Sequence, residues 1–207
     1  MSLHTADAKL LALDPLKLPQ GVRELLLEQP LLSPRVVPDG RAFAVDPAEA
    51  LPAQAPQYLF CKLGIKSWRD SGSLCLIPAG MPLRAALQGL LAQPTAAQLT
   101  VAGAWRRAGV PLALHVFAYR SFADISEARW LLASHEVRFI SACLRGASAN
   151  VALRALPAMR AIAWQLAAAL PGRAHIAELA CLPDGTIKLV EINPGLCPNE
   201  LSALRAA

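Results

Sequence analysis

HIAELACLPDGTIKLVEINP, His175 to Pro194, is the stretch whose reading decides the rest of the chain. Apolar and polar residues alternate from Ala174 to Leu182 and again from Thr186 to Asn193, on either side of Pro183-Asp184-Gly185, and this predicts a β-hairpin. With Asp184-Gly185 as a two-residue turn, Pro183 faces Thr186 and Glu178 falls directly opposite Glu191. A four-residue loop from Pro183 to Thr186 gives the same pairing. Alternation then sets Glu178, Glu191 and Asn193 on one side, and Val190 and Ile192 on the other. Carboxylates that face each other repel, so the pair asks for protonation of one partner or for a divalent cation with hard oxygen ligands. The plain alternative is an α+β domain whose hairpin carboxylates are merely exposed.

The surrounding chain has 207 residues and 55% hydrophobic content, enough to bury a core as one domain or as two small lobes. Its net charge is +5, but the basic residues, 15 Arg and 5 Lys, are scattered. That distribution favours anionic small molecules over a nucleic-acid surface, which would show a clustered stripe. Five cysteines at 61, 75, 143, 181 and 197 form no CxxC pair and predict thiols in a reducing cytoplasm. No signal peptide and no membrane-length apolar run is visible, so the expected location is cytoplasmic, with no membrane partner.

Before the hairpin, residues 1–56 read as a small N-terminal subdomain with brief helices at Ala6–Leu13 and Val22–Glu28 and loops at Pro38-Asp39-Gly40 and Pro47–Pro56. From Gln57 two strand-like runs, Tyr58–Ile65 and Ser73–Ile77, flank a polar loop. Lys62 and Lys66, with Ser67, Ser71, Gly72 and Ser73, could hold a triphosphate, or could be an edge strand and an ordinary turn. The Walker spacing is missing. Met81–Gln93 and Thr95–Arg107 predict helices, Val110–Tyr119 an apolar strand, and Glu127–Ala133 with Val137–Leu144 a second pair of strands. Glu127 and Arg129 share a face, which fits either a salt bridge or a bound anion. His115 reads as a ligand residue or as a satisfied core histidine. Pro157 reads as the first turn of a helix whose stripe is Met159, Ile162, Ala163, Leu166 and Leu170.

A lysine-bearing strand, an apolar strand, an E-x-R strand, a helix, an acidic strand, a DG turn and a final V-E-I-N-P together resemble the ATP-grasp family. The resemblance covers Gln57 to Pro194. It is nearest to the compact clade that includes the eukaryotic cell-division-cycle assembly factor for translation initiation. It implies an α+β fold of two lobes with mostly antiparallel sheets around a nucleotide cleft, with 57–207 as the ATP-grasp-like domain. It further implies ATP and Mg²⁺ as cofactors, with Glu178, Glu191 and Asn193 on the metal. Lys62, Lys66, Ser71, Leu114, His115 and Glu127 would lie on the nucleotide, and Arg129 and Arg69 would assist the reaction. The implied activity is a carboxylate–amine ligase acting through an acyl phosphate on a small carboxylate or peptide. The alternative is a non-catalytic, chaperone-like factor for a protein partner. Two departures stand out. Relatives often carry an arginine on the hinge strand, where this chain offers His115 and later Arg120, and the loop Ser67–Ser73 has a single glycine.

Overall fold

The computed structural model describes residues 13–40, 42–67, 76–121, 125–133, 136–144, 149–170 and 174–194. The chain is α+β and carries two antiparallel sheets, as the sequence implies. Its contacts divide it into two units, Met1–Pro15 with Glu28–Arg120, and Leu16–Leu27 with Ser121–Ala207. A boundary at 56/57 would part residues that this division keeps together.

The first unit is built on a six-stranded sheet. Strands β1 (Arg35–Asp39), β2 (Ala42–Val45), β3 (Leu59–Leu63), β4 (Lys66–Ser67), β5 (Leu76–Ile77) and β6 (Leu112–Ala118) run in the order β2-β1-β6-β3-β4, with β5 also on β3. The β1–β2 hairpin lies inside the segment expected to be a separate subdomain. It joins the sheet through Arg35↔Ala113 and Val36↔Leu112. Its turn repeats the chain's other Pro-Asp-Gly, with Gly40 at φ +58°. Pro38 costs no ladder bond to β6, because that pairing stops at Val36.

Helices α1 (Gln20–Leu25), α2 (Leu83–Leu91), α3 (Ala96–Arg107) and α4 (Ala149–Ala169) complete the elements. Helix α2 buries Leu83, Leu87 and Leu91, one residue per turn, and packs on β2. Helix α3 begins with a capping box, in which the Gln98 backbone N–H donates to Thr95 and the Gln98 side chain accepts from the Thr95 backbone. It ends where Gly109, at φ +66°, lets the Gly109 and Val110 N–H groups donate back to Arg106 and Trp105.

The second unit has a four-stranded sheet, β10 (Ile187–Pro194), β9 (Ala174–Cys181), β7 (Ser126–Ala133) and β8 (Glu136–Leu144), in that order. Helix α4 packs against β7, β8 and β9 and buries Met159, Ala163 and Leu166, with Leu170 buried just past its end. It starts eight residues before Pro157, which is therefore an interior residue and not a first-turn one. Good helix formers upstream carry the helix through the lost i→i−4 bond, and the proline is exposed, so the distorted turn faces water. Helix α1 joins this unit. Leu27 N–H donates to Leu189 O at 2.7 Å, and Lys188 Nζ donates to Glu24 O at 3.1 Å. No helix among the described residues is long and apolar enough to cross a membrane.

Candidate functional site

Glu178 and Glu191 are direct partners across β9 and β10, as alternation requires, but by a route the sequence does not announce. Near the turn the ladder is one residue out of the expected register, with Cys181 opposite Ile187 and Leu179 opposite Leu189. The connection is accordingly longer, closed by Leu182 N–H donating to Thr186 O and Gly185 N–H to Leu182 O. A bulge at Val190 then restores the pairing at Glu191, Ile192 and Asn193. Leu189 and Ile192, three apart, consequently both sit in the core, at 0% and 7% exposure.

The pair belongs to a row that extends across a third strand. Arg129 on β7 is opposite Glu178, and its Nε donates to Glu178 Oε1 at 2.7 Å. Glu178 is almost buried while the Arg129 side chain is 58% exposed, so the charge that balances the carboxylate reaches it from the wet side. Part of the cation that the opposed glutamates demand is thus supplied by the protein itself. Asn193, two residues beyond Glu191, donates from Nδ2 to Glu191 Oε1 at 2.9 Å and fixes that carboxylate. Glu127, in register with Ala180, is buried on the same side of β7 as Arg129. Glu178, Glu191 and Asn193 bring two carboxylates and one amide together. That is an all-oxygen set of the kind magnesium accepts, usually with one or two carboxylates and substrate or water oxygens. No group of three His, Cys, Asp or Glu side chains suited to a metal occurs among the described residues.

In the first unit, Lys62 on β3 lies opposite His115 on β6, and Phe60 opposite Phe117. The Lys62 ammonium is 6.0 Å and 5.9 Å from the two phenyl centroids. His115 has no exposed surface. Its Nδ1 lies 2.9 Å from Ser33 Oγ, and its Nε2 lies 3.4 Å from Asp14 Oδ1. The ring is held between Ser33 and Asp14, and among the described residues its Nε2 makes no hydrogen bond. It ties residue 14 and the Ser33 segment to β6. Leu114 is fully buried against Leu63, and its N–H donates to Pro34 O. The Lys66 side chain, Ser71 and Arg69 lie outside the described residues.

Two residues near Lys62 carried no signal in the sequence. Burial raises the pKa of the Glu28 carboxyl, while Arg120 and Lys62, both close enough to act on it, pull it back down. Glu28 follows a short helix and Arg120 follows a strand, so only the folded chain associates them with Lys62. A carboxyl raised above 4.5 favours folding below that pH, and the benefit is lost as pH rises through the folded value. Glu28→Gln is therefore expected to raise the melting temperature at pH 7 and to leave it unchanged at pH 4. A gain that persists at pH 4 would assign the effect to something other than the charge.

No protein-family model matches the chain, and no curated protein matches it. Among solved structures, Cdc123 from Schizosaccharomyces pombe aligns over 95% of this chain and 92% of its own, at 14% identity and a TM-score of 0.54. The chain shares the fold of Cdc123. Looser matches include the N5-carboxyaminoimidazole synthase of Aspergillus clavatus in complex with ADP and 5-aminoimidazole ribonucleotide. That match has 15% identity and TM-score 0.32, over 65% of this chain and 32% of that one. The D-alanine-D-alanine ligase of Coxiella burnetii matches at 14% identity and TM-score 0.33, over 83% of this chain and 48% of that one. Strands β9 and β10 carry the acidic strand and the E-x-N that the sequence resemblance rests on, and β3 carries Lys62.

Proposed function

We propose that this chain binds ATP together with magnesium and acts as a carboxylate–amine ligase. The observation that carries the reading is the row Glu191–Glu178–Arg129, with Asn193 beside it, on an ATP-grasp fold. Magnesium would neutralise the terminal phosphates and orient them for in-line transfer. Glu178, Glu191 and Asn193 would hold it, Lys62 and Lys66 would meet phosphate oxygens, and Leu114 with its strand would face the base. A substrate carboxylate oxygen would take the γ-phosphoryl group and release ADP. An amine would then displace phosphate from the acyl carbon and give up its proton to water. Arg129 and Arg69, as cations, suit the carboxylate or its phosphate ester. The buried cysteines Cys61 and Cys181, neither of them in a disulfide, support a reducing, cytoplasmic setting.

The end-to-end match to Cdc123 favours a second reading, in which ATP and magnesium are bound without turnover and a protein is the partner. Thermal shift tests the common core. ATP with magnesium is expected to raise the melting temperature, by the equivalent of about 2.7 kcal/mol at a hundredfold excess over Kd, and ATP alone much less. No shift under either condition rejects nucleotide binding. ADP release then separates the two readings. Release that depends on an added amino acid, peptide or amine supports the ligase, whereas binding without release across such a pool favours the partner factor.

A further inference from the structure

Ser33, His115 and Asp14 form a chain of three polar side chains within the first unit, and none of them belongs to the acidic row of β7, β9 and β10. The bridge Leu32↔Val116 and the pair Arg35↔Ala113 carry one register along β6, which sets Ser33 directly opposite His115. Leu32 and Val116 exchange the ladder bonds, so Ser33 and His115 are a pair without them, the kind whose side chains stand closest. Their contact is accordingly short, 2.9 Å from Ser33 Oγ to His115 Nδ1.

The other ring nitrogen, Nε2, lies 3.4 Å from Asp14 Oδ1, a contact that a charged ring would tighten. Asp14 is 2% exposed and His115 0%, so water does not screen the carboxylate from the ring. A neutral imidazole holds one ring proton, and a carboxylate beside Nε2 draws it to that nitrogen. Nδ1 is then the acceptor and Ser33 Oγ the donor. A base within hydrogen-bond reach of a hydroxyl, itself oriented by a third group, is the arrangement that activates the oxygen as a nucleophile. The serine is within reach of solvent. Arg35, two residues on and on the same side of the strand, has a side chain 57% exposed, and Ser33 itself is half-buried. The Ser33 backbone N–H makes no hydrogen bond among the described residues, so a donor for a developing oxyanion stands beside the hydroxyl.

We propose that Ser33 is a nucleophile toward small activated esters, with His115 as its general base and Asp14 as the positioning residue that fixes the tautomer. Ser33 Oγ attacks the ester carbonyl carbon, and its proton passes to His115 Nδ1. The bond from that carbon to the alcohol oxygen breaks, and the alcohol leaves with the proton. Water, deprotonated by the same nitrogen, then releases the acid and restores the serine.

Reaction of the full chain with diisopropyl fluorophosphate, without nucleotide, tests this by mass mapping. In this probe phosphorus takes the place of the carbonyl carbon, and fluoride that of the alcohol. Labelling is expected at Ser33, about a hundredfold faster than at Ser141, an exposed serine whose hydroxyl has no partner among the described residues. Ser33→Ala should remove that label, and Asp14→Asn should slow it at least about tenfold. The ring ¹⁵N shifts of His115 should show the proton on Nε2 in the parent chain and partly on Nδ1 in Asp14→Asn. A parent proton on Nδ1, equal labelling of Ser33 and Ser141, or an unchanged rate in Asp14→Asn overturns the assignment. Because nucleotide is absent throughout, none of these outcomes bears on ATP binding.

Discussion

Replacing Glu178 and Glu191 together by glutamine is expected to abolish the part of ATP stabilisation that depends on magnesium, a loss of at least about tenfold in affinity. The substitution keeps size and hydrogen-bonding capacity and removes two formal charges from a row that Arg129 only partly balances. Each single variant should weaken magnesium-ATP on its own. Glu178→Gln should do so with little loss of stability, because its ion partner is more than half exposed and can turn to water. Glu191→Gln leaves the Asn193 amide a neutral acceptor in place of a charged one. Calorimetric titration of the purified variants, with and without magnesium, reads these outcomes directly. Unchanged magnesium-ATP affinity in all three variants would show that the metal lies elsewhere.

The largest stability effect is expected at Gly64. This residue turns the chain from β3 to β4 at φ +56°, and an added Cβ would stand 2.8 Å from Val101 Cγ1 and 3.5 Å from the Trp105 ring. Val101 and Trp105 are themselves buried, at 2% and 1% exposure, so neither can step aside into solvent. The left-handed backbone costs an L-residue roughly 1–2 kcal/mol, and overpacking adds about as much or more, so Gly64→Ala should destabilise the chain by about 2–4 kcal/mol in urea unfolding. The same turn is tied to β6 by Gly64 N–H donating to Ala113 O, and it sits between Lys62 and Lys66. Adding Val101→Ala should relieve the contact but not the backbone strain, and so should recover only part of the loss. A Gly64→Ala variant as stable as the parent would mean that the turn is not built this way.

The hairpin was legible because period-two alternation and a DG turn are local signals that do not depend on the rest of the chain. The face-to-face glutamates emerged correctly although the turn is longer than expected. The added loop residue and the bulge at Val190 cancel, and nothing in Leu-Val-Glu marks where a bulge will form. The first hairpin carries the same Pro-Asp-Gly, yet a proline inside its apolar run reads as a break. Only its limited pairing to β6 shows why Pro38 is tolerated. Pro157 misled in the opposite direction, since an isolated proline marks a helix start more often than it interrupts a long helix. The surroundings of His115 were out of reach. Ser33 is 82 positions away, and no periodicity links two polar residues at that distance. The same applies to Glu28 and Arg120, which acquire meaning only beside Lys62.

The bond from Leu27 to Leu189 has a bearing on how the protein is made. Helix α1 belongs to the unit whose sheet is synthesised last, so its bridge partner follows about 160 residues later. At ribosomal speeds of 5–20 residues per second, that is a wait of about 10–30 s. A fragment that starts at residue 121 would leave β10 without the Leu26–Leu27 segment. A fragment that ends near residue 120 would carry α1 with nothing to pair against. The chain is thus a poor candidate for division into halves, and co-expressed pieces should reassemble only when the early segment is supplied in trans.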